Sequence, residues 1–452
     1  MTYPPPAQMA TTQLDTSIPA VIFKLDRNVM HHGALGAIRS LGRLGVPVYG
    51  VHENPLAPAA HSRYLHGRWT WRPSACDVDQ VRAGLMTLAE RIGRRAVLIP
   101  TDDAGAIFLA EHGTDLRQAF LFPDPPAGLP RQLAGKYTLH QLCRELDVPD
   151  VAATLPQSLA DAQDFTDRVG FPLVAKLATP WLTSGMPGLR STSVIRTRDE
   201  LVAAYQACAG RNSTALMLQE YIPRRPGQDF FFHGYGDARS RCRTGFVGIK
   251  ERSYPAHTGL TSLGRWVDNP ELHRQATELV ERLGFRGIVD LDYRQDPRDG
   301  QYKLLDFNPR LGAQFRLFHD AAGVDVVVAA HLNLTGRDVP AVLPRIGRSF
   351  LVENYDPIAA LRYRRHGLDL TSWVASVRGV DELAWFARDD LTPFGLMCLR
   401  MGWRAMTRPL RVRGGRADIP APSRSEPPRY RPGRGAPRHS PPPQPPARKA
   451  LT

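Results

Sequence analysis

The 452-residue chain has few cysteines, and they are scattered: Cys76, Cys143, Cys208, Cys242 and Cys398 form no CxxC pair. Such a set gives no zinc site and fits reduced thiols in a cytoplasm. No uninterrupted apolar run reaches about 18 residues, so no membrane-spanning helix is expected. The N-terminal MTYPPPAQMATTQLDTSIPA lacks both a basic start and an apolar stretch, so no secretory signal is expected and the reading is a cytoplasmic protein. Gly33-Ala34-Leu35-Gly36 falls short of the GxGxxG fingerprint and argues against a dinucleotide site. There is no internal repeat, and no Ser-His-Asp or Cys-His arrangement follows from spacing. What remains is an ordinary globular mixture, 42% hydrophobic and 23% charged, of a length that holds two to four domains.

Positive charge is abundant but localised. Of the net +14, residues 404–452 carry +10, from eleven Arg and one Lys against Asp418 and Glu426. The same stretch holds 12 of the 40 prolines and almost no aliphatic side chains. It cannot bury enough apolar surface to offset its ordering entropy and reads as a disordered basic tail on a nearly neutral body. Solubility or a lineage-specific extension accounts for such a tail more simply than a nucleic-acid or membrane-surface partner does.

The body opens, after a start read as disordered over 1–17, with Pro19-Ala20-Val21-Ile22-Phe23 as a strand. Leu35, Ile38, Leu41 and Leu44 then recur at helical spacing, and Val46–Val51 reads as a second strand. With a further strand at Ala96–Pro100 running into Thr101-Asp102-Asp103, residues 18–125 read as an open, doubly wound α/β domain. His31-His32 sit in its first turn, either as plain turn residues or beside an anion at the helix N-terminus. From Lys136 the texture changes. Strands are expected at 171–177, 191–195, 215–222, 229–236 and 243–250, helices at 199–208 and 270–283, and a hairpin over 287–308 that turns at Asp296–Gly300. Residues 340–403 read as a smaller helix-rich region, in which Trp385-Phe386 and Phe394–Met401 mark a docking helix.

The hairpin is the most informative stretch. Alternation puts Asp290 and Asp292 on one face of Gly287–Tyr293, and Asp306 and Asn308 on one face of Tyr302–Asn308. Folding about the turn brings Asp292 close to Asp306, a pair that repels unless a cation joins it. Two carboxylates and an amide oxygen form a hard-oxygen site suited to Mg²⁺ or Mn²⁺. The bland alternative is a solvated sheet face, against which the flanking positions are strongly apolar. Lys176 lies inside an apolar strand and needs an anionic partner, for which a phosphate is suited. Lys136 opens a helix after Leu133-Ala134-Gly135 and reaches toward the same anion, or is a solvated helix lysine. The loop Thr179–Ser193 carries hydroxyls and amides able to cover phosphates. Leu218–Pro223 is a strand end that can present its backbone to an adenine edge, or a simple crossover.

These pieces, in this order over residues 18–335, resemble the ATP-grasp superfamily; the most specific is Asp306-Phe307-Asn308-Pro309-Arg310, similar to that superfamily's E-x-N-P-R signature with Asp in place of Glu. The resemblance implies a pre-ATP-grasp α/β domain over 18–125 and an α+β ATP-grasp domain of two subdomains over 126–339. A helical C-terminal region over 340–403 and the tail at 404–452 complete the organisation. It implies that Lys136 and Lys176 hold ATP phosphates, that Gln219, Glu220 and Ile222 face adenine, and that Asp229 lies toward the ribose. Asp292, Asp306 and Asn308 would bind Mg²⁺, and Arg310 would meet the transferred phosphoryl group or a substrate carboxylate. The linker between Ile222 and Asp229 is longer, and the phosphate-covering loop poorer in glycine, than the superfamily pattern. Gly42–Gly50, Ile99–Asp103 and Thr258-Gly259 bring the chain nearest the carboxylate–amine ligase group that includes D-aspartate ligases.

The resemblance thus implies ligation: a small carboxylate attacks the γ-phosphorus of ATP, and an amine displaces phosphate from the acyl phosphate. Lys250 and Arg252 are expected to stabilise the oxyanion or the phosphoryl group, unless Lys250 merely faces solvent. Two rivals stand: an ATP-grasp carboxylase or kinase, and a non-catalytic nucleotide-binding scaffold that engages an anionic partner through the tail. The superfamily also leaves room for a homodimer.

Overall fold

The computed structural model describes residues 13–75, 77–182, 191–209, 216–223, 225–256, 259–364 and 367–412. Cys76, Thr258, the middle of the Thr179–Ser193 loop, most of the start read as disordered and nearly all of the tail lie outside the described residues. The chain divides into two units, Met1–Trp403 and Arg404–Thr452.

Three sheets build the first unit. One is wholly parallel, in the order β3-β2-β1-β4-β5, from β1 (Ala20–Phe23), β2 (Val48–His52), β3 (Leu65–Thr70), β4 (Ala96–Pro100) and β5 (Phe120–Leu121). All four residues of β1 are buried, as expected of a parallel strand covered on both faces. Helices His32–Arg43, Val78–Ile92 and Asp103–His112 lie in the crossovers. The strand order reverses between β1 and β4, so the segments after both strands meet at a topological switch point. There Asp102 caps the helix that starts at Asp103, accepting from Gly105 N (3.0 Å), and its second oxygen accepts from Leu25 N and Asp26 N. His31 Nδ1 caps the helix His32–Arg43, accepting from Ala34 N. His32 is buried against Phe350 and Trp385. His32 is therefore part of the packing, and His31 is a helix cap.

The second sheet is antiparallel, in the order β6-β9-β7-β8, with β6 (Ala153–Thr154), β7 (Leu173–Leu177), β8 (Thr192–Ile195) and β9 (Leu216–Glu220). Leu173, Ala175, Leu177 and Leu218 pack on helices Leu159–Val169 and Arg198–Ala209 through Phe165 and Leu201. Alternation then obliges Val174 and Lys176 to look out of the opposite face.

The third sheet has seven strands in the order β14-β13-β10-β11-β12-β15-β16. They are β10 (Asp229–Gly236), β11 (Cys242–Tyr254), β12 (Leu260–Trp266), β13 (Gly287–Gln295), β14 (Tyr302–Asn308), β15 (Ser349–Leu351) and β16 (Glu382–Leu383). Helix Pro270–Arg282 covers one face through Leu272, Ala276 and Leu279, against Val289, Leu291 and Phe307. Helix Val326–Leu334 joins the other face to the parallel sheet and its helix His32–Arg43 in a core holding Ile22, Ile38, Phe231, Phe318 and Trp385.

The expectation for 340–403 needs amending. It does contain helices Asp356–Tyr363, Leu370–Val377 and the start of Thr392–Val412, but it also supplies β15 and β16 to the large sheet. Trp385 follows β16 and is fully buried in the central core rather than on a docking helix. Its indole donates to Asn354 Oδ1 (2.8 Å), which satisfies the one polar atom it brings inside. The strand expected at 243–250 runs on to Tyr254 past an irregularity around Glu251. Among the described residues, no helix is long and apolar enough to cross a membrane.

Candidate active site

The hairpin positions the acidic residues as alternation requires. Asp292 lies directly opposite Asp306 and Asp290 opposite Asn308. The register then shifts, pairing Tyr293 with Leu304 and leaving Leu305 as the extra residue of a bulge. The carbonyl of Leu305 accepts from Lys176 Nζ at 2.8 Å. A strand irregularity in one sheet thus anchors a lysine from the other.

Three lysines from three elements converge on the opposed carboxylates. Lys136, the first residue of helix Lys136–Glu145, places Nζ 2.8 Å from Asp306 Oδ1, and Lys176 of β7 places Nζ 3.3 Å from the same oxygen. Lys250 of β11 stands 2.7 Å from Asp292 Oδ1. Burial alone would raise the Asp306 carboxyl, but Lys136 and Lys176 override it and hold it well below the ordinary carboxylate range. Asp292 moves the other way. Burial raises it and the neighbouring Asp290 and Asp306 add to that, while Lys250 pulls against them. Burial lowers the Lys176 ammonium and Lys136 beside it does likewise. Lys136 and Lys250 are each raised, since their carboxylates outweigh burial. Two facing acids shifted in opposite directions mark a site of uneven, tightly held charge.

A cleft of about 760 Å³ opens between the second and third sheets, lined by Lys176, Gln219, Glu220, Ile222, Asp229, Lys250, Asp292 and Asp306 among others. Eight of the twelve residues given a role in the sequence therefore border one cavity. Lys136 reaches it through Asp306, while Asn308 lies on the next row of the sheet opposite Asp290 and Arg310 follows just beyond the end of β14. Along the cleft, Gln219 and Ile222 are buried, Asp229 pairs with Arg294 (2.6 Å), and the Glu220 carboxylate pairs with Arg298 of the hairpin turn. Arg310 Nη1 donates to Asp290 Oδ2 at 2.7 Å, and its Nε stands 3.4 Å from Asp103 at the start of the helix after β4.

Arg252 does not join this site. Beyond the irregularity at Glu251 its guanidinium binds both oxygens of the fully buried Asp356, at 2.8 and 2.9 Å, and donates to Ser376. The extra residue breaks the alternation that would have kept it on the face of Lys250. Conversely, sequence reasoning misses Asp103, His233 and the partner role of Asp290. Asp290 shares its face with Asp292, and periodicity cannot say which carboxylate meets cations in the cleft and which turns to an arginine.

Among the described residues no group of three or more His, Cys, Asp or Glu side chains is placed to hold a metal ion. The donor set on the hairpin is instead two carboxylates and an amide. It suits a hard cation that takes its other oxygens from phosphate and water.

No family model matches the chain. It is 24% identical to the D-aspartate ligase of Enterococcus faecium over 233 residues, 48% of this chain and 54% of that protein. It is 23% identical to the carbamoyl phosphate synthase large chain of Thermomicrobium roseum over 52% of this chain and 22% of that one. The chain thus spans about half or less of the length of these relatives. Among solved structures, the biotin carboxylase domain of the Hydrogenobacter thermophilus 2-oxoglutarate carboxylase, a complex with MgADP and bicarbonate, aligns at a TM-score of 0.54 and 15% identity. That alignment covers 74% of this chain and 73% of that one. N5-carboxyaminoimidazole synthetase from Staphylococcus aureus, complexed with ADP, aligns at 0.55 and 12% identity, covering 77% and 87%. Three sheets, a cleft between the second and third, and these alignments agree: the chain has the ATP-grasp fold, and D-aspartate ligase is its homologue.

Proposed function

We propose that this protein is an ATP-dependent ligase that joins a small carboxylate to an amine through an acyl phosphate, releasing ADP and phosphate. The observation that carries the reading is the convergence of Lys136, Lys176 and Lys250 on the opposed Asp292 and Asp306 in one cleft. Similarity to a D-aspartate ligase favours amide formation over other ATP-grasp chemistries. The nearest rival is carboxylation, since one structural neighbour was solved with bicarbonate.

The adenine end would rest on Gln219 and Ile222, with the backbone around Glu220 at its edge and Asp229 toward the ribose. Asp292, Asp306 and Asn308 would hold Mg²⁺, which when bound neutralises charge on the phosphate oxygens. Lys136 and Lys176 lie where the phosphates would enter, and on binding them would exchange the Asp306 carboxylate for phosphoryl oxygens. Their charge is fixed in place before the reaction, so little reorganisation is needed as the γ-phosphoryl group moves to the substrate carboxylate. Lys250 is set to face charge developing on the acyl group, and Arg310 to orient the carboxylate or the transferred group. An amine arriving unprotonated then attacks the acyl carbon and phosphate leaves.

The test is ADP release from Mg-ATP over acids and amines, singly and in pairs, with a bicarbonate arm. ADP that requires both an acid and an amine is the expected result. ADP that requires bicarbonate instead would replace the ligase reading with a carboxylase.

A further inference from the structure

We propose that Asp290 is a positioning residue, which holds the Arg310 guanidinium in working orientation from a buried slot beside the cleft. What Arg310 then acts on rests on the ligase reading above.

The slot is built by register. His233 of β10, Asp290 of β13 and Asn308 of β14 are direct neighbours across three adjacent strands, one row beyond Phe231, Asp292 and Asp306. Asp292 lines the cleft and meets Lys250, whereas Asp290 is not among the residues that line it. Asp290 is 5% exposed and turns its Oδ2 to Arg310 Nη1 at 2.7 Å. Asn308 Nδ2 donates to the main-chain oxygen of Asp290 at 3.1 Å and approaches Oδ2 at 3.4 Å. With its nitrogen so engaged, the amide has its oxygen left to offer elsewhere.

The back wall is His233, fully buried between Phe231 and Phe318, with Nε2 3.4 Å from Asp290 Oδ1. Burial holds this imidazole neutral, its pKa pushed down to about 4. Arg310 is the cation in direct contact with the Asp290 carboxylate. The lid is Gly312, where an added Cβ would stand 2.6 Å from Asp290 Cγ and 2.1 Å from His233 Cε1. The chain just after Arg310 thus closes over the carboxylate that Arg310 binds. A buried carboxylate whose charge is met by one guanidinium leaves that guanidinium little freedom, because separating them strands a charge. The other acidic neighbour is Asp103, at a looser 3.4 Å from Nε. Without Asp290, Arg310 would swing toward Asp103 and away from the hairpin.

The experiment is a double-mutant cycle on the full chain with a crystallographic arm. Asp290→Asn should lower the ADP release rate about 100-fold, with the half-saturating ATP and Mg²⁺ concentrations within about twofold of wild type. In an Arg310→Ala background the same substitution should add almost nothing. Equal losses in both backgrounds overturn the inference, and so does an Mg²⁺ requirement raised about tenfold, which would make Asp290 a metal ligand. A crystal structure of Asp290→Asn with MgADP should show the Arg310 guanidinium displaced toward Asp103; an unmoved guanidinium overturns it. This arm needs no turnover, so a chain inactive on every acid–amine pair would sink the ligase reading and leave the present one decidable. If Asp290→Asn does not fold, Asp103→Asn asks the question from the other side. There Arg310 should keep its place, and a displaced guanidinium would overturn the inference.

Discussion

Asp356 and Asp306 are both met by cations inside the protein, and the difference between them separates structure from chemistry. Asp356 is fully buried and takes four donors on its two oxygens: Arg252 Nε and Nη2, Ser262 Oγ and Trp373 Nε1, all at 2.8–3.0 Å. Nothing there is left over. Asp306 instead offers one oxygen to two lysines while a second carboxylate, Asp292, faces it across the ladder. A saturated pair holds helix Asp356–Tyr363 to β11 and β12; an oversupplied one stores charge that a ligand would redistribute.

The largest expected effect is on the second kind of site. Asp306→Asn keeps the shape and removes the charge, and should lower ADP release about a thousandfold. Its denaturant midpoint should move less than that of an Asp356 variant, because the lysines it leaves behind border an open cleft. Asp356→Asn should do the reverse. It leaves the buried Arg252 without a counter-ion, a loss of about 3 kcal/mol in stability by urea denaturation, while the residual folded enzyme turns over normally. If both variants lose activity and stability in parallel, the distinction between the two aspartates does not hold.

How much of this contrast is legible in the sequence follows from periodicity. The hairpin can be read because its strands alternate around the acidic residues and a turn sequence separates them, so that pattern brings Asp292 close to Asp306, though the bulge at Leu305 that fixes the register leaves no such signal. Lys176 can be read because a lysine in an apolar strand has to be explained. β12 cannot, since Leu260–Trp266 interrupts its apolar positions with Thr261, Ser262, Gly264 and Arg265. Arg252 is misjudged because an irregularity of one residue reverses the face of everything beyond it. The pairing of Arg310 with both Asp290 and Asp103 joins the third sheet to the helix that follows β4. No local pattern encodes that contact.

A smaller effect comes from groups that are buried without an opposite charge. Around the parallel sheet, burial pushes His32 and His52 down to about 3, well under the value near 6.5 expected of an unfolded histidine. Their folded pKa values are depressed, so between about pH 6.5 and 3 the unfolded chain binds more protons, and stability rises with pH across that window. Replacing His32 with Asn should reduce the slope of unfolding free energy against pH by about one proton, roughly 1.4 kcal/mol per pH unit. Chemical denaturation at pH 6, 5 and 4 measures it. Asp306 works in a lower window: its carboxyl is depressed, so its contribution is complete above the ordinary carboxylate range and is lost only as pH falls below it. An unchanged slope in the His32 variant would mean that the imidazole is already charged in the folded state.

The smallest effect belongs to the cleft's rim, where an ion pair of a third kind sits. Arg298 in the hairpin turn bonds the buried Asp296 and the Glu220 carboxylate at the end of β9, so it links the large sheet to the small one. Its side chain is 46% exposed, and water and salt screen such a pair far more than they screen Asp306 or Asp356. Arg298→Ala should therefore cost less than about 1 kcal/mol in stability. Any change in the ATP concentration at half-maximal rate should be about twofold and should shrink as salt is raised. The salt dependence is what places this pair on the scale. A loss that persisted undiminished in high salt would show that Arg298 acts by bracing the hairpin turn through Asp296, and the rim would then belong with the saturated, structural pairs typified by Asp356.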